Sequence, residues 1–223
     1  MNTDTPNFDS LARAYRWLEY FSFGHMLERC RFHFLKRCLH ARYALVLGDG
    51  DGRFTARLLA LNPTVTIDAV DASPAMLAIL RKRARQSSRE ADARLSTTEA
   101  DIRRFTPPGH DYDLVISHFF LDCLTDDDLT TLIARLSPRM TKDAIWLVSE
   151  FCVPEEGWRR LGARMVIRSL YFAFAILTRL RVRRIPNYTQ AFHHKGFHPV
   201  DKASYLGGML VAEVWKRRSD QYS

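Results

Sequence analysis

An apolar run that enters three alternating glycines, Ala44-Leu45-Val46-Leu47-Gly48-Asp49-Gly50-Asp51-Gly52, constrains this chain more than any other stretch. A run without polar alternation is what a strand covered on both faces requires, so it reads as the interior of a parallel sheet. The glycines clear the turn of side chains and let another group approach the backbone. A helical pattern then continues to Leu61, and its first turn exposes N–H groups that attract a carboxylate or a phosphate. Ile67-Asp68-Ala69-Val70-Asp71 reads as a second short strand that ends in an acid. Asp71 stands nineteen residues past Gly52, close to the spacing at which an acid meets ribose hydroxyls in nucleotide-binding folds. Together these features imply a nucleoside-containing ligand.

The rest of the chain alternates strand and helix, the pattern of an α/β parallel sheet. Strands are expected at about 43–47, 65–70, 94–98, 113–117 and 144–151, with two more near 197–204 and 208–216. Helices are expected at 53–61, from Ser73-Pro74 to about Gln86, after Thr125-Asp126-Asp127-Asp128, and at 187–195. Ser73 with Pro74 behind it is an N-cap signature, and Thr125 with an acid three residues on is a capping box. Residues 8–40 read as two aromatic-rich helices parted at Gly24, carrying Tyr15, Trp17, Tyr20, Phe21, Phe23, Phe32 and Phe34. Gly207-Gly208 reads as a hairpin or bulge.

The glycine spacing discriminates among nucleotide ligands. The dinucleotide fingerprint G-x-G-x-x-G would need glycine at position 53, which is Arg53. The G-x-G-x-G form instead resembles motif I of the class I S-adenosylmethionine-dependent methyltransferases. Val70-Asp71-Ala72-Ser73-Pro74-Ala75-Met76-Leu77 resembles that family's second motif, and the likeness spans roughly Tyr43 to Trp215. The resemblance implies a Rossmann-like doubly wound sheet of seven strands in the order 3-2-1-4-5-7-6, with N-terminal helices and a helical insertion after strand five. It implies S-adenosylmethionine as cofactor, held by Gly48, Asp49, Gly50, Gly52, Arg53, Asp71, Ala72, Ser73, Met76, Asp101, Ile102, Ser117, His118 and Phe119. Within that set Asp71 takes the ribose hydroxyls, Asp101 the adenine amino group, and Ser73, Met76 and Ile102 flank the ring. One departure stands out: the family has an acid two residues before the first motif-I glycine, and here that position is Val46. Asp49 or Asp51 is the residue available to meet the cofactor's amino group instead.

Ser117-His118-Phe119-Phe120-Leu121-Asp122 follows the fourth strand, where family members reach the methyl group. It lacks the Asp/Asn-Pro-Pro-aromatic signature of base N-methyltransferases. His118 and Asp122 are the candidate proton acceptors by position, with Tyr188, His193 and His194 behind them. The aromatic faces of Phe119 and Phe120 suit a sulfonium.

Residues 155–186 carry Arg160, Arg164 and Arg168 at four-residue intervals, which places them on one helical face. An apolar run from Tyr171 to Leu177 and four further arginines follow. This insertion reads as a cover over the acceptor, with peripheral membrane contact through 155–186 as an expected use of its basic and apolar faces. The whole chain reads as a single methyltransferase domain, 1–223: an N-terminal cover (1–40), a cofactor-binding core (41–154), the insertion (155–186) and a C-terminal helix with the final strands (187–223). A net charge of +8 calls for an acidic partner surface or a basic solvated one. It keeps an RNA methyltransferase as the alternative to an enzyme acting on a small apolar or aromatic acceptor by C- or O-methylation. Loss of the motif-I acid keeps a non-catalytic methyltransferase-like partner as a second alternative. Four scattered cysteines without a C-x-x-C pair argue against a zinc site or a disulfide framework. With no apolar leader at the N-terminus, a cytoplasmic enzyme is expected.

Overall fold

The computed structural model describes residues 24–109, 111–152 and 186–218. Its centre is a seven-stranded sheet of β1 (Tyr43–Leu47), β2 (Thr66–Asp71), β3 (Leu95–Glu99), β4 (Tyr112–His118), β5 (Met140–Phe151), β6 (Phe197–Tyr205) and β7 (Leu210–Arg217). The order across the sheet is β3-β2-β1-β4-β5-β7-β6. The first five strands run parallel, and β7 is antiparallel to both of its neighbours. The order and the reversed strand agree with the expectation drawn from the sequence.

Helices α1 (Gly24–Phe32), α2 (Arg53–Leu61) and α3 (Pro74–Ser87) cover one face; a single helical turn, α4 (Ala91–Arg94), leads into β3. Helices α5 (Asp126–Leu136) and α6 (Tyr188–His194) cover the other. The alternation within β1 shows why both faces need cover. Ala44 and Val46 pack with Leu27, Phe54, Leu58 and Leu80 on the first side, while Leu45 and Leu47 pack with Leu129, Leu132 and Ile133 on the second. The second core is aromatic toward β7, where Trp146, Phe192, Phe197 and Trp215 are wholly buried, and Phe192 stacks on Trp215 at 4.8 Å.

Local chemistry sets the helix starts that the sequence announces. The Ser73 hydroxyl accepts from the Met76 N–H at 3.3 Å with Pro74 at the first helical position. Thr125 and Asp128 form the reciprocal capping box. Two boundaries differ from expectation. β5 begins at Met140 rather than Ala144, because Met140 pairs with Tyr112 ahead of a register shift that periodicity does not reveal. Arg94 closes the α4 turn instead of opening β3, and its guanidinium donates to the Leu59 and Asn62 carbonyls at 3.1 and 2.8 Å. The β6–β7 link is a hairpin closed by a short 3-10 turn at Leu206–Gly208.

The proposed helix over residues 8–23, with Tyr15, Trp17, Tyr20, Phe21 and Phe23, lies outside the described residues, as does nearly all of the 155–186 insertion, including Arg160, Arg164, Arg168 and Tyr171 to Leu177. Among the described residues no helix is long and apolar enough to cross a membrane.

Candidate functional site

The sheet order reverses between β1 and β4, and the residues singled out by sequence converge on the carboxyl ends of the strands around that point, where ligands enter open α/β sheets. The three glycines of the β1–α2 turn do different work. A methyl group on Gly48 would run into the Phe120 ring, so this glycine makes room for the loop after β4. A methyl on Gly52 would stand 2.7 Å from the Leu80 Cα; its absence lets α3 close on α2. Gly50, with φ of +57°, has nothing within 4 Å of where a side chain would begin. Of the three it is the one open to a ligand.

Two buried acids flank that opening. Asp71, at the end of β2, accepts from the Ser73 N–H at 2.9 Å and from the Gly50 and Ala72 N–H groups, yet burial pushes it up to about 6. Asp49 accepts from the Thr55 N–H at 2.8 Å through Oδ2, while its buried Oδ1 has no hydrogen-bond partner. Burial raises the Asp49 carboxyl, partly offset by the Arg31 guanidinium. Asp51 turns away and bridges Arg53 and Arg83, both at 3.1 Å. Arg53 thereby lines a separate groove of about 870 Å³ among α1, α2 and α3, together with Phe32, Arg57 and Arg83.

The end of β4 is built on the same scale. His118 is buried, its Nδ1 2.8 Å from the Ser149 Oγ and its ring 4.6 Å from that of Phe54, whereas Nε2 has no hydrogen-bond partner. Burial, and then the charge of Arg31, hold this histidine well below its ordinary value, so the ring is neutral at pH 7. Phe119 adopts φ of +54°, and the Arg31 guanidinium lies 5.7 Å from the centre of its ring. The strained backbone is held by Glu150 of β5, whose Oε1 accepts from the Phe120 and Leu121 N–H groups at 3.0 and 2.7 Å. Burial and the neighbouring Asp122 carboxylate raise Glu150 well above the carboxylate range.

Residues 45–145 match the family model described as Methyltransferase domain. The chain carries a class I methyltransferase domain. Solved structures share the fold. An O-methyltransferase family protein from Burkholderia thailandensis superposes with a TM-score of 0.67 at 16% identity, over 99% of this chain and 66% of that one. The mitomycin 7-O-methyltransferase MmcR gives 0.63 at 16%, over 93% of this chain and 56% of that one. The N-methyltransferase NodS from Bradyrhizobium japonicum, in complex with S-adenosyl-L-homocysteine, gives 0.59 at 17%, over 96% and 100%. The chain therefore spans about 56% and 66% of the two O-methyltransferases. No curated protein matches the sequence.

Within the methyltransferase domain, the remaining sequence candidates fall into two groups. Ser73, Ala72 and Met76 sit at the start of α3 beside Asp71, and Ile102 is buried below. Asp101 is half exposed, its carboxylate spanned by the Arg103 guanidinium at 2.6 to 3.0 Å. Ser117 faces the other layer and accepts from the Trp146 Nε1 at 2.9 Å. His193 and His194 are exposed at the end of α6. Tyr188 is buried and donates to Glu213 at 3.1 Å. Val46, in place of the motif-I acid, is buried in the core. Sequence reasoning missed Arg31, Ser149 and Glu150. An acid ending the apolar strand Trp146-Leu147-Val148 was a usable signal for Glu150; nothing in the pattern of α1 marked Arg31.

Proposed function

We propose that this chain is an S-adenosylmethionine-dependent methyltransferase that acts on a small, apolar or aromatic acceptor by O- or C-methylation. The observation that carries the reading is the open backbone at Gly50 between an Asp49 Oδ1 without a hydrogen bond and the Asp71 carboxylate. Those groups match a ligand with an ammonium at one end and a ribose diol in the middle. Asp71 would accept from the diol, Asp49 from the ammonium, and Ser73, Met76 and Ile102 would border the adenine, with Asp101 reaching its amino group once released from Arg103. Gly48, Gly52, Arg53, Ala72, Ser117 and Phe119 then shape the walls rather than bond the ligand.

When bound, the cofactor supplies an electrophilic methyl on sulfonium. The chain's own part is to exclude water, align the acceptor and take its proton where it has one. His118, neutral and with an unoccupied Nε2, is the group suited to accept a phenolic proton, and Asp122 is the second. The acceptor would lie beyond β4 and β5, under a cover formed by 155–186 within a single domain of 223 residues, and the basic insertion would let a cytoplasmic enzyme draw acceptors from an anionic membrane surface. The test is transfer of an isotopic methyl group from S-adenosylmethionine into a pool of phenolic and quinol-type small molecules, with Asp71→Asn as the control. Label found in RNA and in no small molecule would replace the acceptor reading. Cofactor bound without transfer to any acceptor would favour a non-catalytic partner.

A further inference from the structure

Arg31 of α1 is a buried guanidinium, 7% exposed, brought to the carboxyl end of the sheet above Phe119. Its charge acts on both Asp49 and His118, so the cation stands on the same side of the β1–α2 turn as the Asp49 carboxylate. Burying an arginine is costly unless the site uses the charge. Asp49 is equally buried and points an oxygen without a hydrogen bond away from the Thr55 N–H that its other oxygen accepts. Asp51 is engaged by Arg53 and Arg83 instead.

We infer that Arg31 and Asp49 form a paired clamp for the amino-acid end of the cofactor, Arg31 taking its carboxylate and Asp49 its ammonium. The inference rests on the cofactor reading above. It accounts for a chain that has Val46 where the family carries an acid: recognition of the zwitterion has moved two residues past the first motif-I glycine's own strand, onto the turn, and gained a cation from α1. The guanidinium's fork suits a carboxylate bidentately, and its plane lies against an aromatic ring that restrains it. The two opposite charges, each buried, also moderate one another while the site is empty.

The test compares three ligands by calorimetry on the full chain: S-adenosylhomocysteine, its decarboxylated analogue and 5′-methylthioadenosine, which lacks the whole amino-acid end. The parent should bind S-adenosylhomocysteine at least a hundredfold more tightly than methylthioadenosine. Arg31→Met should lose at least tenfold for S-adenosylhomocysteine and little for the other two. Asp49→Asn should lose at least tenfold for the two ligands that keep the ammonium and little for methylthioadenosine. In a second readout, removing the Arg31 charge should raise the His118 titration seen by NMR. Equal parental affinity for all three ligands overturns the clamp, as do variants that weaken all three alike. If Arg31→Met does not fold, Arg31→Lys keeps the charge without the fork and should narrow the ratio between S-adenosylhomocysteine and methylthioadenosine; an unchanged ratio overturns the assignment. A parent that binds methylthioadenosine but none of the amino-acid end sinks the clamp alone. A parent that binds none of the three sinks the cofactor reading itself.

Discussion

Asp71 shows how one residue's environment writes a pH dependence. Its carboxyl is raised from 3.8 to about 6, chiefly by burial and further by Asp49, against three backbone N–H groups that favour the ion. Since the value in the fold lies above that of the unfolded chain, the native state keeps a proton the unfolded chain has already lost. The group therefore lowers stability as pH rises through that interval. A diol that donates to the carboxylate selects the ionised form, so affinity for S-adenosylhomocysteine should rise about tenfold between pH 5 and pH 7. Asp71→Asn should bind at least tenfold more weakly at pH 7 and lose most of that pH dependence; a parallel pair of pH profiles would place the ribose elsewhere. The glycines divide in the same way. Gly52→Ala forces a methyl onto the Leu80 backbone at positive φ and should cost at least about 2 kcal/mol in denaturant unfolding. Gly50→Ala meets no neighbour and should cost about 1–2 kcal/mol for its backbone alone, while weakening the ligand more than tenfold.

At the scale of elements, β5 holds the loop after β4. Glu150 accepts two backbone N–H groups from that loop, and the loop lays Phe120 over Gly48. Glu150→Gln preserves an accepting oxygen and should change stability by less than about 1 kcal/mol, whereas Glu150→Ala leaves two N–H groups unpaired and should cost about 2–4 kcal/mol. Equal losses in urea titrations of the two variants would show that the charge, not the clamp, matters. The helix starts at Ser73 and Thr125 were legible beforehand because capping is written in three or four adjacent residues. The Glu150 clamp joins positions thirty residues apart, and Arg31 reaches the site only because α1 packs beside α2. No local pattern encodes either contact. The extra residues at the start of β5 escaped for the same reason, since their pairing with β4 follows a register shift.

Over the whole molecule, the alternation of apolar strands with capped helices made the sheet legible, and the resemblance supplied its order. Asp71, Gly48 and Gly50 were placed from sequence at the point where that order reverses. The acceptor side was far less legible, because it depends on contacts between distant elements and on the 155–186 insertion. Removing that insertion should abolish turnover and leave cofactor affinity within a few-fold. Replacing Arg160, Arg164 and Arg168 with glutamate should reduce co-sedimentation with anionic vesicles, at about 1 kcal/mol per basic residue near the surface; a variant that sediments like the parent would remove the membrane from the account. The central claim is the identity of the cofactor, and calorimetry of the purified chain with S-adenosylmethionine, S-adenosylhomocysteine and NAD tests it most directly. The account predicts saturable one-to-one binding of the first two with a matching rise in melting temperature, and none for NAD; binding of NAD without binding of either S-adenosyl ligand would contradict it.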